Sequence, residues 1–186
     1  METKPRLRYL AELQRAAKYL GEKHNVIFFG QNAVYSGSRM CETFINQVPL
    51  EKRRETPVFE NTQLAMSIGL ALKGFVPVSI FGRPNFLVYG AGILANQLDK
   101  IGVITKGKVT PKVIIKTMNG PVRPIDPGVQ HMGDLSEIFQ KLTPNYVEVI
   151  RLDEPGQIFL AYQKAYERTD GKSTILVEWG DYYNEK

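Results

Sequence analysis

Glu60 is the carboxylate whose position in this sequence most favours a chemical role. It follows the apolar residues Val58 and Phe59 at the end of "TPVFE" (56–60), which is typical of a short strand. It precedes "NTQLAMSIGLALKG" (61–74), whose apolar spacing predicts a buried helix. Charged groups avoid apolar surroundings unless they are paired or used, so Glu60 is a candidate catalytic or binding group. The alternative is an acid that only stabilises the start of the helix, and the residues alone leave both open.

His131 is the second candidate. It lies in "RPIDPGVQHMGDLSEIF" (123–139), inside a connection of about 17 residues after a strand, a length that is often functional. An imidazole can donate a hydrogen bond to a substrate or shuttle a proton near neutral pH. The alternative is a loop histidine bonded to the backbone.

A third motif lies in "NFLVYGAGILANQ" (85–97), where residues 90–95 fit the G-x-G-x-x-A pattern of a dinucleotide-binding turn. Such a turn requires an acidic residue about 20 positions further on, and none stands near position 110. Helical spacing instead joins Leu87, Ala91, Leu94 and Leu98. We therefore predict a helix over 85–99 whose small residues allow another backbone to approach, which makes it a candidate for self-association. A nucleotide-binding protein using residues 90–95 is the alternative.

These candidates are positioned by alternating strands and helices. Strand patterns occupy residues 25–30, 56–60, 75–81, 112–118, 146–150 and 173–179. Helical patterns occupy residues 6–21, 61–74, 85–99, 134–142 and 154–168. This alternation predicts an α/β fold: a single three-layer domain over residues 1–186, with a mostly parallel sheet and helices on both faces. Ligands of such sheets gather at the carboxyl ends of the strands.

Composition narrows the class of protein. Apolar residues make up 43% and charged residues 23%, the balance of an ordinary globular domain. The net charge of +5 is spread among acids in "TKPRLR", "EKRRE" and "KGKVTPK" without a nucleic-acid motif, so we predict a solvated surface and no nucleic-acid partner. One cysteine and two histidines argue against disulfides and structural zinc. Without an apolar leader or membrane span, we expect a cytoplasmic protein with no membrane partner.

Three segments together resemble a known family. In order and spacing, "NVIFFGQNAVYSG" (25–37), "ETPVFENTQLAMSIGLALKGFVPV" (55–78) and "NFLVYGAGILANQLDK" (85–100) resemble the pyrimidine-binding domain of thiamine-diphosphate enzymes. The nearest groups are the transketolases and the beta subunits of 2-oxo-acid dehydrogenases. The middle segment is similar to T-P-[IL]-x-E-…-G-x-A-x-x-G-x-x-P. The resemblance implies the thiamine-diphosphate-binding fold.

The resemblance also implies roles for individual residues. Glu60 would hydrogen-bond a ring nitrogen of the pyrimidine, while the cofactor supplies the carbanion chemistry. Phe86 would stack on the pyrimidine, and Phe81 is the alternative candidate for this role. The segment around His131 resembles G-x-x-H-x-G-x-x-D-L but is two residues shorter before Asp134, and His131 would face the substrate.

Family members hold the diphosphate and Mg²⁺ through a G-D-G motif and a later pair of asparagines, on a different domain. No G-D-G occurs here. The resemblance therefore implies a separate diphosphate-binding subunit that holds the Mg²⁺ and pairs with this chain in a heterotetramer. The expected function is transketolase-like transfer at a C–C bond beside a carbonyl. The alternatives are a beta-type component of a 2-oxo-acid dehydrogenase or decarboxylase and a non-catalytic regulatory subunit. Gln31 departs from the glutamate of dehydrogenase beta subunits, and the chain ends where those subunits continue, which favours the transferase.

Overall fold

The computed structural model describes residues 8–122 and 126–185, with the backbone alone for residues 184 and 185. Within those ranges, six strands form one sheet in which every neighbouring pair is parallel. The strands are β1 (Val26–Gly30), β2 (Arg53–Glu55), β3 (Val76–Phe81), β4 (Ile114–Asn119), β5 (Val147–Arg151) and β6 (Ser173–Trp179). Their order across the sheet is β2-β1-β3-β4-β6-β5. The parallel sheet predicted from the sequence is confirmed.

Helices connect these strands. The α-helices are α1 (Tyr9–Gly21), α2 (Arg39–Glu42), α3 (Glu60–Leu72), α4 (Pro84–Tyr89), α5 (Ala91–Ile93), α6 (Ile101–Ile104), α7 (Ser136–Leu142), α8 (Pro155–Glu167) and α9 (Tyr182–Glu185). Two 3-10 turns span Leu50–Lys52 and Val129–His131, and a π turn spans Leu94–Leu98. The first residues of the helix predicted over 6–21 lie outside the described residues, as do residues 123–125 of the segment around His131.

The core consists of two apolar clusters, one on each face of the sheet. One cluster joins the sheet to α1 and α8, and the other joins it to α3, α4 and α7. Side chains of a strand alternate between faces, so Ile114 belongs to the first cluster and Ile115 to the second. The predicted three-layer architecture is confirmed, and it leaves the carboxyl edge of the strands open for a site.

The prediction of a strand over residues 56–60 is wrong. The strand β2 is Arg53–Glu55, within a segment interpreted from the sequence as solvated surface, and Arg53 is in fact buried. After it, the chain turns toward α3, and Val58 is 76% exposed. The edge position of β2 explains the error. This short strand is defined by its backbone pairing with β1 on one side, and it has no pattern of apolar side chains that could be recognised in the sequence.

The helix predicted over 85–99 is present as α4, α5 and the π turn rather than as one helix. At the junction, a Cβ on Gly90 would lie 3.3 Å from a methyl of Leu64 on α3. This close packing explains the glycine. Residues 90–95 therefore continue a helical segment and do not follow a strand, so they do not form the strand–turn–helix of a dinucleotide site.

Candidate functional site

A cleft of about 680 Å³ opens at the carboxyl ends of β1, β3 and β4. The carboxyl edge of a parallel sheet is where such folds bind ligands. The cleft is lined by Met118 of β4 and by residues of three connections between strands, Asn32, Tyr35, Gly37, Ser38, Arg39, Glu42, Gly82, Arg83, Phe86, Pro121, Pro127 and His131. Its volume is within the range of small-molecule pockets.

Glu55 positions one wall of this cleft. Its carboxylate accepts hydrogen bonds from the backbone N–H groups of Asn32 and Val34, at 2.7 and 2.6 Å. Asn32 has a positive φ of 60°, a conformation that asparagine tolerates better than most residues. The last residue of β2 therefore holds the loop that follows β1. Sequence reasoning missed this role because the contact joins two segments more than 20 residues apart.

Glu60 is the first residue of α3, and its side chain is buried. One carboxylate oxygen, Oε1, accepts a hydrogen bond of 3.2 Å from Nε2 of Gln31, the residue that follows β1. The other oxygen has no hydrogen-bond or ion-pair partner among the described residues. An incoming donor can therefore reach a carboxylate that is already held in place. The apolar surroundings expected at Val58 are absent, since that side chain is exposed.

Buried polar residues set the position of α3. The amide Nε2 of Gln63 donates to the backbone carbonyl oxygen of Ile80 at 2.8 Å, and Ser67 donates to Ser79 Oγ at 3.0 Å. A Cβ on Gly30 would lie 2.4 Å from Gln63 Nε2, so glycine at this position (φ +137°) lets α3 approach the end of β1.

The buried stripe of α3 is therefore partly polar, and it includes Glu60, Gln63 and Ser67. The spacing of these residues by three and four was a signal that sequence reasoning overlooked. Leu72, an apolar residue at the end of the same helix, is 52% exposed.

The two candidate phenylalanines lie in different surroundings. Phe81 is the last residue of β3 and is fully buried within the apolar core. Phe86, on α4, lines the cleft and is only partly buried. The centre of its ring lies 5.4 Å from that of His131, with the planes inclined at 54°. Only Phe86 has a face that a ligand in the cleft can contact.

His131 ends the 3-10 turn Val129–His131, and its ring is held by Asn85. The distance between His131 Nδ1 and Asn85 Oδ1 is 3.1 Å. A carbonyl oxygen can only accept, so with this amide orientation Nδ1 carries the proton and the neutral ring keeps its lone pair on Nε2. The pair can therefore present a hydrogen-bond acceptor to a ligand. Asn85 was assigned from the sequence only to the start of a helix.

The structure thus brings Phe86 and His131 together at one cleft, and Asn85 contacts the ring of His131. Glu60 does not line that cleft. It is connected to it through Gln31, which precedes the lining residue Asn32. Among the described residues, no group of three or more His, Cys, Asp or Glu side chains could hold a metal ion. Within the same part of the chain, every helix is too short or too polar to cross a bilayer.

Solved structures with the same fold include a split-gene transketolase in an inactive β4 tetramer (TM-score 0.66, 12% identity). Others are a 2-oxoglutarate:ferredoxin oxidoreductase from Magnetococcus marinus (0.60, 11%) and a thiamine-diphosphate-dependent 4-hydroxybenzoylformate decarboxylase from Rhodococcus jostii RHA1 (0.60, 13%). The alignments cover 93%, 95% and 96% of this chain. They cover 51%, 30% and 33% of the respective neighbours, so this chain spans about half of the length of the first and about a third of the length of the other two.

These neighbours confirm the resemblance at the level of fold: the chain has the fold of a pyrimidine-type domain of thiamine-diphosphate enzymes. No protein-family model and no curated protein sequence matches the chain.

Proposed function

We propose that this chain is the pyrimidine-binding subunit of a split, transketolase-like thiamine-diphosphate enzyme that makes or breaks a C–C bond beside a carbonyl. The observation that carries the proposal is the environment of Glu60. Its carboxylate is buried at the carboxyl edge of the sheet, held by Gln31 through one oxygen and open at the other. A ring nitrogen of the pyrimidine is a partner of the right size for that second oxygen, with one proton shared between the two, because both atoms are acceptors without it.

When bound, the cofactor supplies the carbanion stabilisation that such reactions require. In this proposal Glu60 shares a proton with the pyrimidine, and Gln31 keeps the carboxylate oriented. Phe86 rather than Phe81 contacts the pyrimidine, because Phe81 has no exposed surface. His131 accepts a proton or hydrogen bond from the substrate through Nε2, and Asn85 holds its ring.

The diphosphate and its Mg²⁺ are held in this proposal by a second polypeptide, in a heterotetramer. Two features support this. One solved structure of the same fold is a split-gene transketolase. In addition, the exposed Val58 two residues before Glu60 gives a partner an apolar contact beside the site.

The decisive experiment measures exchange of the C2 proton of thiamine diphosphate, which needs no substrate. The chain is combined with Mg²⁺ and the product of a neighbouring gene that carries G-D-G and a later asparagine pair. We expect fast exchange with the wild type and a loss of about 10²–10⁴-fold in Glu60→Gln, the usual contribution of acid–base catalysis. The matched control is Glu51→Gln at an exposed glutamate, which should exchange like the wild type.

Equal exchange rates in Glu60→Gln and the wild type, with assembly intact, would favour a non-catalytic regulatory subunit. Decarboxylation of a 2-oxo acid, with or without oxidation, is the second candidate reaction, because neighbours of the same fold include an oxidoreductase and a decarboxylase. Release of CO₂ from a 2-oxo acid by the assembled enzyme, without transfer to an aldehyde, would favour it over the transferase.

A further inference from the structure

Two arginines in the cleft have no part in the proposed function. Arg83 precedes α4, Arg39 begins α2, and both side chains line the cleft. Both lie outside the three segments through which the sequence resembles thiamine-diphosphate enzymes. Their own contacts in the cleft indicate their role.

The guanidinium group of Arg83 is partly buried without a partner. Its Nη1 is buried and has no hydrogen-bond acceptor among the described residues, and Arg83 forms no ion pair there. Burial lowers the pKa of Arg83, an effect that Tyr183 and Asp181 oppose. Asp181 does not pair with the guanidinium, and its Oδ1 instead accepts a hydrogen bond of 2.8 Å from the backbone N–H of Val122. A charged donor left in this state is costly unless a ligand satisfies it.

Arg39 is only half satisfied. Its Nη1 donates to Glu42 Oε2 at 2.8 Å, and its guanidinium carbon lies 5.3 Å from the ring centre of Tyr183. Its Nε, however, is buried and has no partner among the described residues. The described lining therefore contains two guanidinium groups against one carboxylate, which leaves one formal positive charge.

We propose that Arg83, assisted by Arg39, binds an anionic group in this cleft, either a carboxylate or a phosphate monoester. A guanidinium group can donate two hydrogen bonds at once to the oxygens of a planar carboxylate or of a tetrahedral phosphate group. The further inference that the anion is part of a substrate rests on the proposed function. His131 lines the same cleft, so it would then contact the reacting end of the substrate. Arg83 is in this view a specificity-determining residue.

The test is anion binding by the whole chain in the absence of thiamine diphosphate. Inorganic phosphate and acetate are titrated separately at constant ionic strength, and the signals of arginine side-chain N–H groups are followed by NMR. We expect saturable binding to the wild type and a dissociation constant at least about tenfold larger in Arg83→Gln, the usual effect of losing one charge-assisted hydrogen bond. Arg83→Lys, which keeps the charge without the fork, should bind with intermediate affinity.

The matched control is Arg54→Gln, at an exposed arginine of β2 outside the cleft, which should bind as the wild type does. Tighter binding of phosphate would identify a phosphate ester as the ligand, and tighter binding of acetate would identify a carboxylate. Absence of saturable binding of either anion, or equal affinities in the wild type and a folded Arg83→Gln, overturns the proposal. Because this measurement needs neither cofactor nor partner, its failure is distinguishable from a failure of the C2-exchange experiment.

Discussion

Gln31 Nε2 lies 3.2 Å from Glu60 Oε1, so the residue that follows β1 donates a hydrogen bond to the carboxylate that begins α3. Parallel pairing places the end of β1 beside β2, and the chain returns from β2 to start α3 at the same edge. The contact therefore depends on the sheet and not on nearness in the sequence. The other oxygen of Glu60 has no hydrogen-bond partner among the described residues.

The first prediction concerns this contact. Gln31→Leu removes the donor, and a hydrogen bond to a charged group contributes about 1.5–3 kcal/mol. We expect C2 exchange in the assembled enzyme to slow by about ten- to a hundredfold. Gln97→Leu, at an exposed amide of the π turn, is the control. An unchanged rate in Gln31→Leu would mean that Gln31 does not orient Glu60.

The second prediction concerns the tautomer of His131. Asn85→Leu removes the oxygen that accepts from Nδ1–H, a bond worth about 0.5–1.5 kcal/mol. The ratio of the two neutral tautomers should therefore shift about two- to tenfold toward Nε2–H. The ¹⁵N chemical shifts of the imidazole report this ratio directly. Asn96→Leu, at an exposed asparagine, should leave the shifts unchanged, and identical shifts in Asn85→Leu would contradict the assignment.

The third prediction concerns stability. Glu178 is fully buried, where it pairs with Lys116 and accepts hydrogen bonds from Tyr162 and Tyr183. Burial lowers the pKa of Lys116, which the charge of Glu178 opposes. Glu178→Leu leaves Lys116 buried and unpaired, so the free energy of unfolding in urea should fall by about 3–5 kcal/mol.

The double variant Lys116→Met/Glu178→Leu provides the second arm of this experiment. It should recover much of the loss, because no charge remains buried. Lys164→Met, which breaks an exposed ion pair with Glu148, should change the free energy by less than about 1 kcal/mol. A single variant no less stable than the double variant would contradict the pairing.

The fourth prediction concerns acid stability. Burial raises the pKa of Asp99, but hydrogen bonds from Lys100, Asn145 and Tyr146 outweigh it and the pKa lies below its usual value. Because the pKa of Asp99 is lower in the folded state, its carboxylate stabilises the protein at pH values above the pKa in the unfolded state, about 3.9. This stabilisation is lost as the pH falls through the pKa in the folded state. In Asp99→Asn the free energy of unfolding should therefore decrease less steeply below about pH 4 than it does in the wild type.

Urea unfolding between neutral pH and the acid range measures this slope. Glu51→Gln, at an exposed carboxylate, should keep the wild-type slope. A slope in Asp99→Asn as steep as that of the wild type would assign the acid sensitivity to other groups.

The fifth prediction tests self-association through the helical segment 85–99. Gly92 is exposed, and a Cβ there would meet nothing within 4 Å, while neighbouring Tyr89 is 67% exposed. If a second copy covers this surface, Gly92→Trp should weaken the dimer seen in sedimentation by about tenfold or more, as for overpacking. Gly156→Trp on α8, where a Cβ also meets nothing, is the matched control. A monomeric wild type would refute the prediction.

Much of the fold was predictable because the chain alternates strongly patterned segments. The runs 25–30 and 75–81 were identified as strands, and they contain β1 and β3. The helices α3, α7 and α8 were likewise identified. The strand β2 was missed, because its residues are polar and only its pairing with β1 defines it. The candidate site was predictable in part: Glu60 and His131 were recognised by their chemistry, whereas Glu55, Asn85 and Gln63 act through partners distant in the sequence.

By itself, the sequence determined the α/β class and the parallel sheet, since these follow from the alternation of strand-like and helical patterns along the chain. The carboxyl edge of that sheet, where the candidate cleft lies, follows from the same alternation. Only the tertiary structure decided that Phe86 lines the cleft while Phe81 is in the core, and that Nη1 of Arg83 is buried without a hydrogen-bond partner among the described residues. The physical reason is that burial and pairing depend on which segments the sheet brings together, and no spacing along one segment contains that information.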